Sequence, residues 1–253
     1  MVSIKNEDEI KKLKRSGRVV ALVFEAVADM IKPGVSTFEI DQVAERVIRG
    51  EGAIPSFLNY GEPPFPAATC ISINEEVVHG IPRKDRIIQD GDIVSLDVGA
   101  ILDGYHGDAA RTYAVGTVDQ ETLDLVRVTE ECFWKAFDVT IPGNRIGDVS
   151  YTVMRHAEAH GYGVVRELTG HGIGRNLHEE PDVPNYGRKG HGLRIVPGLV
   201  ICVEPMINLG THRINLLSDE WTIVTADGKP SAHYENTIAV TSDGPIITTK
   251  VNV

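Results

Sequence analysis

Two stretches of this chain repeat each other in order, and that repeat limits the fold more than any other feature of the sequence. Pro33-Gly34 recurs as Pro142-Gly143, 109 residues on, and at the same offset Ile40 falls on Val149 and Gly52 on Gly161. The segment Asp90-Gly91-Asp92-Ile93-Val94-Ser95-Leu96-Asp97 matches Val196 to Glu204, with Gly91 over Gly198 and Asp97 over Glu204, both 107 apart. His79-Gly80-Ile81-Pro82 is echoed by His171-Gly172-Ile173-Gly174, 92 apart. Three matches in one order predict two similar α/β halves related by pseudo-symmetry, at about 10–120 and 121–253. No Gly/Ser or Pro-rich linker interrupts the chain near Val115 to Leu123, so a single domain over 1–253 is expected, with a cleft between its halves.

Local patterns agree with a mixed α/β chain. Ile10, Leu13, Val19, Val20, Val23, Phe24, Val27 and Ile31 recur at helical spacing until Pro33-Gly34 stops them. Ser36 or Thr37 then caps a second helix with Ile40, Val43, Ala44, Val47 and Ile48 on its apolar face, ending at Gly50 or Gly52. Residues 55 to 68 predict an irregular aromatic loop, and strands resume around 69–73 and 93–98.

Charge and cysteine usage narrow the function. With 25 Lys+Arg against 36 Asp+Glu the net charge is −11, which speaks against a broad basic footprint for nucleic acid or anionic lipid. Cys70, Cys132 and Cys202 are odd in number and far apart, as in a reducing compartment. The charged amino terminus lacks an apolar signal-peptide core, and Glu25 and Asp29 break the longest apolar run. A cytoplasmic protein outside the membrane is expected.

Asp97 ends an apolar run, and a lone Asp there would be a turn or cap residue. After the turn Asp103-Gly104, however, a hairpin would return Asp108 beside it. Glu204 ends a run too apolar for an exposed strand, so its carboxylate requires a partner or a metal. Glu235 precedes a further strand, where an exposed strand-start Glu is the plain alternative. His171 and His178 lie in a Gly-rich stretch that forms no regular helix. Two Asp, two Glu and a His make a mostly hard-oxygen site, suited to a pair of divalent ions such as Mn, Fe, Co or Zn. Ions about 3.5–4 Å apart share a bridging hydroxide and stabilise the oxyanion formed when it attacks a carbonyl, so hydrolysis is the expected reaction.

Ile73-Asn74-Glu75-Glu76-Val77-Val78-His79-Gly80-Ile81-Pro82, Gly104-Tyr105-His106-Gly107-Asp108, Gly170-His171-Gly172-Ile173-Gly174, His178-Glu179-Glu180-Pro181 and Val203-Glu204-Pro205-Met206 stand together in this chain. With the Asp90 to Asp97 segment they make it resemble the type I methionine aminopeptidases of the short bacterial form over essentially its whole length. The resemblance implies the α/β "pita-bread" fold, two pseudo-symmetric halves around a central dimetal cleft. It implies that Asp97, Asp108, His171, Glu204 and Glu235 bind two metals, with Asp108 and Glu235 bridging and Glu204 also moving a proton. His178 would hydrogen-bond the scissile carbonyl oxygen and His79 the nitrogen on the leaving side. The methionine pocket would be Tyr60, Phe65, Cys70, Leu177 and Trp221, with Leu177 where an aromatic residue is common. Asn74 and Ser231 match positions that hold a monovalent cation in relatives.

The implied activity is removal of amino-terminal methionine before a small second residue, by attack of a metal-bridging hydroxide on the first peptide bond. Nascent chains at the ribosome are the implied partners, and a monomer is expected. Two competing readings remain. A proline-specific peptidase of the aminopeptidase P or prolidase kind would carry an additional amino-terminal domain, whereas 96 residues precede Asp97 here. A non-catalytic relative that binds a partner in the cleft would have lost ligands, and all five are present.

Overall fold

Helix α1 (Glu7–Val27) starts where the Asn6 side chain accepts from Glu9 N (3.0 Å) while Glu9 accepts from Asn6 N (3.0 Å), a reciprocal cap for two otherwise orphaned donors. A short 3-10 turn, Ala28–Met30, ends the expected apolar run. Ser36 caps α2 (Thr37–Gly50) by the same device with Glu39. The computed structural model describes residues 2–251; residues 1, 252 and 253 of the expected domain span lie outside the described residues.

Strands β1 (Ile54–Pro55), β2 (Thr69–Ile73), β3 (Glu76–Val78), β4 (Ile93–Leu102) and β5 (Tyr105–Ala114) follow. β4 is flanked by β2 and β5 and also pairs β1, all antiparallel. The expectation that Asp97 ends its strand is corrected, because β4 runs five residues further. Asp103 and Gly104 both take positive φ, 53° and 76°, which closes a two-residue hairpin and pairs β4 with β5 along its full length. Val19, Val20 and Val23 of α1, Ile40, Ala44 and Ile48 of α2, and Ile71, Leu96 and Val98 of the sheet form one buried cluster. Burying such side chains stabilises the fold by about 1.5–3 kcal/mol each before entropy is counted.

The second segment repeats the plan. Asp119 caps α3 (Gln120–Val139), and α4 (Ile146–Ala159) follows Pro142-Gly143. Gly34 and Gly143 share φ of 89° and 100°, Gly91 and Gly198 of 94° and 89°, so the repeated glycines make the same left-handed turns. Then come β6 (Gly163–Val164), β7 (Thr169–Gly172), β8 (Glu179–Pro184), β9 (Val200–Val203), β10 (Met206–Asn208), β11 (Ile214–Leu216), β12 (Ile223–Thr225), β13 (Ser231–His233), β14 (Asn236–Thr241) and β15 (Gly244–Ile247). One sheet has the order β15-β14-β9-β7-β8, a second β13-β10-β6. Leu125, Val128 and Phe133 of α3 pack on Val149 and Val153 of α4 and on Ile201 and Ile238 of the larger sheet.

Hydrogen bonds knit the two segments together. β3 pairs β12 in a third sheet. Ala110 and Glu235 exchange backbone bonds of 3.0 and 3.3 Å. Thr237 Oγ1 accepts from Asp108 N (3.1 Å) and donates to Asp108 O (2.8 Å). Asp108 and Glu235, distant in sequence, therefore meet at the seam. Among the described residues no helix is long and apolar enough to cross a membrane.

Candidate active site

The hairpin sets Asp97 opposite Ala110 and Asp108 opposite Gly99, so the two aspartates are diagonal neighbours on one face. His171 comes from β7, Glu204 directly follows β9, and Glu235 lies between β13 and β14. All five line one cavity. His171 Nε2 is 3.6 Å from Glu204 Oε1 and 4.0 Å from Asp108 Oδ2. Glu235, expected in the plainer alternative to be exposed, is 2% exposed, and Asp108 is 3% exposed.

Four carboxyl groups so placed repel one another and are poorly hydrated. Burial pushes all four above their ordinary range, and Glu235 adds to the shift of the other three; Glu235 itself is pushed up to about 7. No lysine or arginine forms an ion pair with them among the described residues. Asp97 Oδ1, Asp108 Oδ1 and Glu235 Oε1 are buried without a hydrogen-bond partner. Oxygen atoms in this state cost about 1–3 kcal/mol each or more when charged, and divalent cations are the groups that satisfy them. The imidazole is prepared too. His171 Nδ1 bonds the Gly172 carbonyl (2.9 Å), which places the proton there and turns the Nε2 lone pair toward the carboxylates.

Burial also lowers His79 to about 4 and His171 to about 3, and lowers His178, so all three are neutral at pH 7. His79 takes φ 60°, a conformation that costs a non-glycine residue energy and is held by its neighbour. A Cβ on Gly80 would meet the Ile71 carbonyl at 2.3 Å, so only glycine lets this turn lie flat against β2. His178 Nδ1 lies 2.6 Å from the Tyr60 hydroxyl.

Tyr60, Phe65, Cys70, Leu177 and Trp221 line the apolar side of the same cavity. Phe65 meets Trp221 edge-on at 5.2 Å, and Trp221 meets His79 at 5.9 Å. Trp221 Nε1 donates to the Pro63 carbonyl (3.0 Å), tying the loop down. Asn74 and Ser231 are not in this cavity. Ser231 N donates to Asn74 O (2.9 Å), while Asn74 Nδ2 binds Asp92 and Ser231 Oγ binds Asn208, both at 2.8 Å.

Sequence reasoning passed over several residues here. Phe57 lines the pocket, and its place in the aromatic loop was the available signal. Cys202 sits within reach of Asp108, His171 and Glu235, but burial and Glu235 push its thiol far up and keep it protonated. His233 is 3.8 Å from Glu204 and 3.9 Å from Glu235. Arg111 donates to the Glu235 carbonyl (2.5 Å) and to Asn236 Oδ1 (2.6 Å), and stacks over Tyr234 at 4.4 Å. No local pattern marks Arg111, since Glu235 and Asn236, which it clamps, are over 120 positions away.

The chain matches metallopeptidase family M24 over residues 11–242. The chain belongs to family M24. Among curated M24 relatives it is 48% identical to "Methionine aminopeptidase" of Clostridium acetobutylicum, covering 98% of this chain and 99% of that one. It is 46% identical to "Methionine aminopeptidase 1" of Bacillus subtilis, over 99% and 100%. The crystal structure of methionine aminopeptidase from Thermotoga maritima superposes with a TM-score of 0.96 at 42% identity, over 99% and 100%. Prolidase from Pyrococcus furiosus shares the fold alone, at TM-score 0.79 and 22% identity, and this chain covers 66% of it. The architecture is thus the pita-bread fold of M24, and the activity is that of a methionine aminopeptidase.

Proposed function

We propose that the chain removes the amino-terminal methionine from peptides and nascent proteins whose second residue is small. The observation that carries the reading is one cavity that joins a carboxylate cluster with three orphaned buried oxygens, two neutral histidines and an apolar aromatic wall. Asp97, Asp108, His171, Glu204 and Glu235, which line one cavity, would hold two divalent ions. Mn, Fe, Co and Zn fit a set of four carboxylates and one imidazole. Bound there, such ions supply Lewis acidity that activates water and stabilises developing negative charge.

The residues of the chain do the rest. Phe57, Phe65, Leu177 and Trp221 enclose the methionine side chain, with Tyr60 and Cys70 at its margin. His178 donates a hydrogen bond to the scissile carbonyl oxygen, where charge grows as the carbonyl carbon becomes tetrahedral. Glu204 takes a proton from the attacking water and returns it to the departing amine. His79, neutral and pinned by its turn, contacts the nitrogen on the leaving side. The single domain, the preference for a small second residue, a cytoplasmic setting and substrates emerging from the ribosome follow from the kinship with methionine aminopeptidases. Asn74 and Ser231, joined by a backbone hydrogen bond outside the cavity, would hold a monovalent cation, as the kinship with methionine aminopeptidases implies.

The test is mass-spectrometric analysis of Met-Ala-Ser, Met-Phe-Ser and Ala-Pro-Ser after metal stripping and restoration of Mn, Fe, Co or Zn. Metal-dependent release of Met from the first peptide alone supports the reading. Equal release from Met-Phe-Ser overturns the size preference, and Ala release from Ala-Pro-Ser indicates a proline-specific peptidase. Glu204→Gln and His171→Ala should each lower turnover by several orders of magnitude with the fold retained by circular dichroism.

A further inference from the structure

Away from this cavity, α3 and α4 bring a second set of ligating side chains together. Glu131 of α3, His156 of α4 and His160, which caps α4, offer ligand atoms that all lie within 4.8 Å of one another. None of the three lines the active-site cavity. Glu131 and His156 are hydrogen-bonded to each other through atoms that an ion would bridge in place of the shared proton, and His160 keeps one ring nitrogen for the same ion. Arg127 Nη1 binds Glu131 Oε1 (2.5 Å), so Oε2 is the oxygen that faces His156 Nε2, at 2.8 Å. His160 Nδ1 bonds the His156 carbonyl (2.9 Å), which leaves its Nε2 as the lone-pair nitrogen. The two imidazoles are four residues apart on one helix face, with ring centroids 4.7 Å apart, and Tyr162 stacks on the outer one at 6.3 Å. They stand at the carboxyl end of α4, where the helix dipole favours a cation.

We propose that Glu131, His156 and His160 form a second, surface metal site that takes a borderline divalent ion such as zinc, nickel or copper. Two imidazoles and one carboxylate match those ions and reject magnesium and calcium, which require oxygen ligands. His160 is exposed, so water completes the coordination. The ion joins α3 to α4 across the outer helix layer. It stabilises the second half of the fold by binding the folded chain alone, since unfolding separates Glu131 from the two histidines by more than 20 residues.

The experiment is equilibrium dialysis of the metal-stripped full chain against zinc, comparing wild type with His160→Asn and Glu131→Gln. Wild type should hold one zinc more per chain than His160→Asn at low micromolar zinc, and Glu131→Gln should weaken that equivalent by about tenfold or more. Methionine release by the loaded enzyme should be equal in all three. Zinc should shift the ring resonances of His156 and His160 in NMR spectra and raise the melting midpoint by about 3 °C more in wild type than in His160→Asn at tenfold excess over Kd. Equal zinc stoichiometry in wild type and His160→Asn, or unmoved His156 and His160 resonances, overturns the proposal.

Discussion

The Tyr60 hydroxyl and His178 Nδ1 share a hydrogen bond of 2.6 Å, and the bond decides where the His178 proton resides. Burial holds the Tyr60 phenol above its ordinary pKa, so the phenol keeps its proton and donates it. Nδ1 is then the acceptor and Nε2 carries the hydrogen, the tautomer a donor to a carbonyl oxygen requires. Tyr60→Phe keeps the ring and removes the bond. We expect kcat on Met-Ala-Ser to fall about tenfold, the worth of one such hydrogen bond, with KM little changed. A raised KM at unchanged kcat would make Tyr60 a pocket wall only.

Arg111 clamps the segment that carries Glu235 against β5. Arg111→Leu deletes charge-assisted bonds to the Glu235 carbonyl and to Asn236, and should cost about 3 kcal/mol of stability. Thermal unfolding should show a midpoint roughly 10 °C lower, and Arg111→Lys, which keeps the charge but loses the planar fork, should recover only part of it.

Metal removal should invert the pH dependence of stability. In the metal-free chain the carboxyls of Asp97, Asp108, Glu204 and Glu235 lie above their unfolded values, Glu235 at about 7. A carboxyl raised in the folded state contributes stability at low pH that is lost as pH rises through its folded pKa. The buried histidines His79, His171 and His233 are lowered, so they act oppositely, but only below their unfolded pKa near 6.5. Above about pH 6.5, where the histidines no longer oppose it, ionisation of Glu235 at about 7 and of the other raised carboxyls should therefore make the metal-free chain melt at progressively lower temperature. The loaded chain should not, because protons compete with metal and ligation strengthens with pH. Parallel slopes by calorimetry would contradict a metal-binding role for the cluster.

Lys5 Nζ donates to Glu179 Oε2 at 2.7 Å, and the Lys5 side chain is only 2% exposed. The pair anchors the amino terminus to the segment after His178. Burial by itself raises the Glu179 carboxyl, yet Lys5 and the Asn176 amide hold it below its ordinary value. Lys5→Met strands that charge and should destabilise by about 3 kcal/mol, while Lys5→Met with Glu179→Leu should regain most of the loss. Urea unfolding of the single and double variants measures both.

The pseudo-repeat, the helix pairs, the hairpin turn and the positions of Asp97, Asp108, His171, Glu204 and Glu235 were legible from the chain alone. Each depends on local chemistry: Ser36 or Thr37 ahead of an apolar helical stripe signals a helix cap, Asp103-Gly104 writes a turn, and a carboxylate at the end of an apolar run signals an unmet polar group. What spacing could not supply is the contact between distant segments. Asp97 proved to lie mid-strand because pairing to β5 prolongs β4. Glu235 is buried because Ala110 bonds its backbone across the seam, and Arg111, His233 and Cys202 surround the centre only once the halves close. Local propensity sets turns and helices within a few residues. The protonation of His178 and the pooled charge of four carboxyls arise from neighbours that only the folded chain brings within a few ångströms.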